Sequence, residues 1–438
     1  MKIGPHETRC IYSIGCLQLV VLLVVVVAGY LIQVVLIPAT PWHAGDGLLL
    51  GGDWIYFHYL AEEVSRLIAL NGWSAWSLRP DGQAPAGIAA AIYAFTGIHQ
   101  PWVVLPINAL VFSAAVACFY SSMLVVAPVR RLALLATLPM LLMPSMALVW
   151  GQLHKDVWAL FGVLAVLAVW IRALALQPLP LIWGVLLVIL GNFSIWLVRP
   201  YAMQLLLLGQ LGMFAIVGLS GVHRRSVCCL LSCLCCILFT ALTSVFGKTS
   251  VLQVESDQYA PVLLCPQWVN TIPVAGLENA FASLACTRHT LAQSYPDAGS
   301  TLDKDVSLHS AVDLLAYMPR ALQVGFLAPF PSMWLEGAAS PAGRVMRLIA
   351  GFEMMGLYFA LGGIVLNLWM RRRAGTKKTD TSHVVTAAVL VFSICWVLVY
   401  SLATSNVGSL YRVRLPIMVL LFGFGCIAWF HILKRKST

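Results

Sequence analysis

The sequence predicts an all-α polytopic membrane protein with about ten transmembrane helices and two large exoplasmic loops. Composition is the first reason: 60% of the 438 residues are apolar and 10% charged, with mean hydropathy +0.87. Soluble domains carry about 45–50% apolar and about 25% charged residues, so a water-facing surface cannot be assembled from this chain. Periodicity is the second. The apolar residues form continuous runs and do not alternate, which selects helices over a membrane barrel. The third is the placement of the basic clusters, all of which fall on one side of the resulting topology.

The runs predict spans near 11–38, 102–127, 132–150, 157–176, 180–198, 202–222, 226–246, 346–370, 382–402 and 414–432. The first run is too long for the core of a cleaved signal and reads as a retained anchor. With the N-terminus in the cytoplasm, Lys2, Arg9, Arg130-Arg131, Arg172, Arg224-Arg225, Arg371-Arg372-Arg373, Lys377-Lys378 and Lys434-Arg435-Lys436 share the cytoplasmic side, as does the C-terminus. The net charge of +10 is thereby accounted for by topology, and a nucleic-acid partner is not implied.

Three parts follow. Residues 1–245 form an N-terminal transmembrane module that includes a first exoplasmic loop at 39–101. Residues 246–345 form a large exoplasmic loop, in which Cys265 and Cys286 are placed for a disulfide in an oxidising compartment. Residues 346–438 form a C-terminal transmembrane module. Cys228, Cys229, Cys233, Cys235 and Cys236 crowd one span and act there as small apolar residues.

Charge is missing from the middle of the spans, which weakens an ion-coupled transporter. Polar residues gather instead at the outer ends. Asp53 opens a helical pattern whose apolar stripe, Ile55, Tyr59, Leu60 and Ile68, suits the membrane surface. The carboxylate either caps that helix or serves as a general base toward the bilayer surface. The turn Gly151-Gln152-Leu153-His154-Lys155-Asp156 is either a solvated turn in which Asp156 caps the next helix, or a place where His154 or Lys155 meets an anionic group. Arg199, closing the fifth span, is an interfacial anchor or a site arginine. Arg412 and Arg414 sit where positive charge is disfavoured and so need partners, either structural carboxylates or a bound phosphate. The outer-side tryptophans Trp54, Trp73, Trp76, Trp102, Trp150, Trp268 and Trp334 read mostly as an interfacial belt. No phosphate loop, HExxH, dinucleotide fingerprint or GxSxG elbow occurs.

The first half of the chain, with Asp53, Tyr56, Leu60 and Ala61, then Pro85-Ala86-Gly87, Tyr93, Thr96-Gly97 and Asn108, resembles the GT-C class of membrane glycosyltransferases. The likeness is to the bacterial branch that includes protein mannosyltransferase-like and aminoarabinose-transferase-like enzymes. It implies a polyprenyl-phosphate sugar as donor and a glycan, lipid or protein as acceptor. It also implies an active site on the exoplasmic face of the bacterial cytoplasmic membrane. By position, Asp53 would be the base, with Asp46 the other first-loop candidate. Lys155, Arg199, Arg412 and Arg414 would hold the donor phosphate, and His58, His154, Asp156 and Arg320 would contact substrate. No metal ligand is assigned, and the use of a divalent cation is left open. The alternatives are a polymerase of lipid-linked repeat units, such as O-antigen or exopolysaccharide, and a lipid-linked sugar transporter or flippase.

Overall fold

The computed structural model describes residues 5–177, 179–221, 227–254, 265–294, 300–335, 341–373 and 381–436. Of the basic clusters, Lys2, Arg224-Arg225 and Lys377-Lys378 lie outside the described residues. The elements in chain order are α1 (Pro5–Tyr30), a short hairpin of β1 (His43–Gly45) and β2 (Leu48–Leu49), α2 (Asp53–Asn71), α3 (Ala84–Thr96) and α4 (Leu105–Val126). Next come α5 (Arg130–Leu142), α6 (Pro144–Gly151), α7 (Asp156–Leu174), α8 (Leu181–Val198), α9 (Ala202–Ser220) and α10 (Val227–Val254). The remainder is α11 (Ala275–Ser294), α12 (Ala311–Leu327), α13 (Pro331–Trp334), α14 (Pro341–Arg373), α15 (Thr381–Ala403), α16 (Val407–Val413) and α17 (Leu415–Lys436).

Among the described residues, nine helices are long and apolar enough to cross a membrane, and a bent pair makes up to ten. This is a multi-pass helical membrane protein. The run at 132–150, expected as one span, is broken: α5 and α6 meet at 67°. Met143 precedes Pro144 and is extended (φ −63°, ψ 122°), because a proline disfavours helical backbone in the residue before it. The freed N-terminus of α6 is not left bare, since Glu353 on α14 accepts the Ser145 N–H at 2.8 Å.

α7 is the most enclosed span, 83% buried, whereas α1 and α10 are 28% buried and face outward. Buried polar groups cross the bundle without charge. Trp170 donates to Gln210 (3.0 Å), Gln210 to Thr240 (2.8 Å) and Thr240 to Asn192 (2.8 Å), linking α7, α9, α10 and α8. In hydrocarbon such bonds hold helices together where no hydrophobic force can. Cys229, Cys233 and Cys236 are buried against neighbouring helices, and Cys228 and Cys235 are exposed.

The hairpin turns on Asp46 (φ 51°) and Gly47 (φ 74°), both left-handed, the pair of conformations a two-residue hairpin requires. A Cβ on Gly47 would also strike the Gln33 carbonyl, so only glycine fits. α2 buries Trp54, Phe57, His58, Ala61, Val64, Ser65 and Ile68 against the alanine face of α3. Of the expected surface stripe, Tyr59 is 62% exposed, whereas Ile68 is buried in the contact with α3. Trp54 and Trp150 are likewise buried rather than belt residues.

A disulfide joins Cys265 to Cys286. The segment holding it is tied to the chain before α16. Leu302 N–H donates to the Ser405 carbonyl and Val407 N–H to the Ser300 carbonyl, both at 3.0 Å. Asn406 caps α16 by accepting the N–H groups of Gly408 (2.9 Å) and Ser409 (3.2 Å). Behind this seam, buried Arg288 donates to the Ser401 and Asp303 carbonyls and to the Tyr317 hydroxyl. Arg320 pairs with Asp303 at 3.0 Å.

Candidate functional site

Four chain segments converge at one end of the bundle. Asp53 is the first residue of α2, and Gly52, not Asp53, occupies the cap position. The Asp53 side chain is thus free of capping and turns to Arg412 near the end of α16, its Oδ2 accepting from Nη1 at 2.9 Å. Asp156 opens α7 behind Lys155, the residue at the cap position, and does not cap either. Its Oδ2 accepts from Arg412 Nε at 3.1 Å and its Oδ1 from Arg199 Nη2. Arg412 thereby bridges two carboxylates, and Asp156 bridges two guanidiniums.

Burial grades along this chain of charges. Asp156 is 3% exposed and Arg199 5%, whereas Arg412 is 32% and Asp53 47% exposed. The buried pair anchors the assembly, and Asp53 presents its carboxylate to the outside. Burial pushes the Asp53 carboxyl up, but the Arg412 guanidinium, with Lys155 behind it, outweighs that and holds it below the usual range. Arg199 and Arg412 are held firmly charged: burial opposes this, and Asp156 overcomes it for both.

His154 and Lys155 complete the cluster. Burial drives the His154 imidazole down to about 4, so the ring is neutral near pH 7. Its Nδ1 accepts the Asp156 backbone N–H at 3.1 Å, and the ring packs against Trp54 with centroids 5.7 Å apart. Lys155 lies over the Phe57 ring, Nζ 5.8 Å from its centre, and makes no ion pair among the described residues. Burial and the neighbouring Arg199 lower its pKa. These two ring contacts clamp the first turn of α2 to the 154–156 turn. With His154 neutral, two carboxylates face three cations. The surplus positive charge, the unpaired Lys155 amine and an Arg199 Nε with no partner among the described residues suit the cluster to an anion.

The other expected site residues lie elsewhere. Asp46 and His58 meet each other in the first loop: His58 Nε2 is 3.5 Å from Asp46, and its Nδ1 is 3.0 Å from the Tyr93 hydroxyl. Burial holds His58 below its ordinary value against the pull of Glu62 and Asp46. Gln100 also donates to Asp46, at 2.9 Å. Arg320 belongs to the Asp303 and Tyr317 seam. Arg414 is buried, and its guanidinium donates to the Gly325 and Ala328 carbonyls at the end of α12. Within the described residues its partners are these helix-end carbonyls and not carboxylates; the carbonyl oxygens supply the negative charge.

Glu353 stands out in the sequence as an acid near the outer end of a span, but its pairing does not. Glu353, 3% exposed within α14, accepts from the Tyr411 hydroxyl and from Ser145 N–H. Tyr411 is the neighbour of Arg412, so Glu353 helps to fix α16. An acidic residue inside an apolar run was the available signal; its partner, 58 residues away, carried none. Among the described residues no group of three or more His, Cys, Asp or Glu could hold a metal ion. Comparison with protein-family models finds no match to the chain, and comparisons with curated proteins and with solved structures find none either.

Proposed function

We propose that this protein is a GT-C-type glycosyltransferase of the bacterial cytoplasmic membrane. In this reading both termini are cytoplasmic and the site faces the exoplasmic side. It moves a sugar from a polyprenyl-phosphate donor to a hydroxyl of a glycan, lipid or protein. The observation that supports it is the Asp53–Arg412–Asp156–Arg199 chain with Lys155 beside it: an accessible carboxylate next to cations at the membrane-proximal end of several spans.

The acceptor oxygen attacks the anomeric carbon as Asp53 takes its proton. The bond between that carbon and the phosphate oxygen breaks, and its electron pair leaves on polyprenyl phosphate. Lys155, Arg199 and Arg412 stabilise the charge growing there, the kind of preorganised help that dominates many enzymes. Arg412 has a second role in this scheme. While it pairs with Asp53 the carboxylate is a weak base; a donor phosphate that draws Arg412 away returns basicity to Asp53.

The test is transfer by the reconstituted protein in vesicles that contain or lack radiolabelled polyprenyl-phosphate sugar. Label should move to acceptor only when donor lipid is present, and transfer without it overturns the reading. Membrane-impermeant thiol labelling of Asp53→Cys from the exoplasmic side tests the orientation separately. Reaction only from the cytoplasmic side would remove the assignment.

A further inference from the structure

We infer that Arg79 and Trp196 form a seat for the phosphate of a phospholipid, at the end of the bundle that carries Asp53. The inference goes beyond the glycosyl-transfer reading, in which neither residue takes part.

The loop at 72–83, between α2 and α3, is pinned to α3. Trp76 Nε1 donates to the Gly87 carbonyl at 2.9 Å, and a Cβ at Gly87 would strike the Leu78 carbonyl, so only glycine lets the loop approach this closely. Leu78 packs in one apolar cluster with Ala84, Ala159 of α7 and Leu197 of α8. The next residue, Arg79, lies over the Trp196 ring, its Cζ 5.5 Å from the ring centre. Asp81 is the one acid of this loop, and its carboxylate is engaged by the Tyr56 hydroxyl. Among the described residues Arg79 therefore makes no ion pair. Burial acts on its guanidinium, lowering the pKa, and no nearby acid offsets it.

Two donor atoms at this contact, Arg79 Nε and Trp196 Nε1, are shut off from solvent and have no acceptor among the described residues. Buried donors are nearly always paired, so two on adjoining side chains mark where an acceptor arrives from outside the chain.

Position says what carries that acceptor. Trp196 lies two residues before the end of α8, where headgroups meet hydrocarbon. Toward the middle of the span the exposed residues Phe193, Ile189, Leu186 and Ile182 form one stripe at helical spacing, and Phe193 stacks on Trp196 with centroids 6.0 Å apart. In a bilayer acyl chains cover that stripe, and the headgroup above them brings its phosphate to the level of Arg79. A guanidinium offers phosphate two parallel donors, and the indole N–H adds a third. The indole beneath also steadies the guanidinium plane. An arginine that only snorkelled into the headgroup layer would need neither a pinned loop nor a second buried donor.

The experiment is native mass spectrometry of the purified full-length protein with phosphatidylglycerol, or with a galactosyl diacylglycerol of matched chains, which lacks phosphate. Wild type should retain the first and shed the second. R79Q should lower retention at least about tenfold, the worth of a hydrogen bond to a charged group. W196F keeps an aromatic ring but loses the N–H donor, and should lower retention about threefold. R66Q removes the same charge from an exposed position on α2 and should leave retention unchanged. Equal retention of the two lipids by wild type, which requires no variant to fold, would overturn the inference. So would equal losses in R79Q and R66Q. Displacement of the lipid by millimolar inorganic phosphate would also overturn it, replacing the phospholipid with a free anion.

Discussion

Asp53 and Arg412 are separated by 359 residues in the chain and meet at 2.9 Å. The contact joins the start of an amphipathic helix to the end of a seven-residue one, and the same guanidinium reaches Asp156 at 3.1 Å. A half-exposed carboxylate is thereby held beside charge that the interior has fixed in place. The reactive candidate and its supporting charges can be perturbed independently.

Asp53→Asn should lower transfer by about 10²- to 10⁴-fold, the usual worth of a positioned general base. The fold should be preserved, because the Asp53 side chain is 47% exposed and its ion pair is a surface one worth at most about 1 kcal/mol. Initial rates beside a thermal melt in the same detergent decide the matter; near-wild-type turnover removes Asp53 as the base.

Asp156→Asn should behave in the opposite way. Asp156 is 3% exposed and neutralises Arg199 and Arg412 together. Its loss leaves buried guanidinium charge uncompensated, at a cost of about 3–5 kcal/mol. A large fall in melting temperature is expected, and an unchanged melt would show that Arg199 finds another counter-charge.

The acid limb of activity should depend on Arg412. The guanidinium offsets burial and holds Asp53 below the usual carboxylate range, so the ionised base survives to unusually low pH. Arg412→Gln removes that support, and the acid limb of kcat/KM, which reports the free enzyme, should move to higher pH while maximal rate also falls. A pH–rate profile with an unmoved acid limb would dissociate Arg412 from the titration of Asp53.

Stability should fall between about pH 6.5 and about pH 4 through His154. Burial lowers the folded ring to about 4 from its ordinary 6.5, so the unfolded chain takes up the proton first as pH drops. The steepest loss attributable to one such group is about 1.4 kcal/mol per pH unit. Unfolding followed across this window should be flatter for His154→Asn, which removes the titrating ring. Identical profiles would place the pH dependence elsewhere.

Two arginines in the disulfide-bearing segment should differ sharply. Arg320 is 40% exposed in its pair with Asp303, and Arg320→Gln should cost less than about 1 kcal/mol. Arg288 is 4% exposed and satisfies the Ser401 and Asp303 carbonyls at the seam beside α16. Arg288→Met should cost about 1–3 kcal/mol for the buried acceptors it strands. Equal melting shifts for the two would remove Arg288 as an anchor of that seam.

Much of the architecture was legible before folding. Among the described residues the ten apolar runs reappear as nine helices long and apolar enough to span and one bent pair, since run length and hydropathy are local properties that the bilayer reads directly. The break at Met143-Pro144 could have been read from its proline; the size of the bend could not. Which face of α2 packs inward was not legible, because several stripes of that helix are apolar enough, and contact with the small residues of α3 chose among them.

Sequence alone determined that this chain crosses a membrane many times and that its charged residues collect towards the ends of its helices, because transfer out of water acts on each segment separately. Only tertiary structure decided that Arg412 joins Asp53 to Asp156, that Arg199 completes the chain and that Arg414 leaves it for the carbonyls of α12. Those partners lie 43 to 359 residues apart, and a charge cannot select among distant counter-charges until packing has brought one of them within a few ångströms.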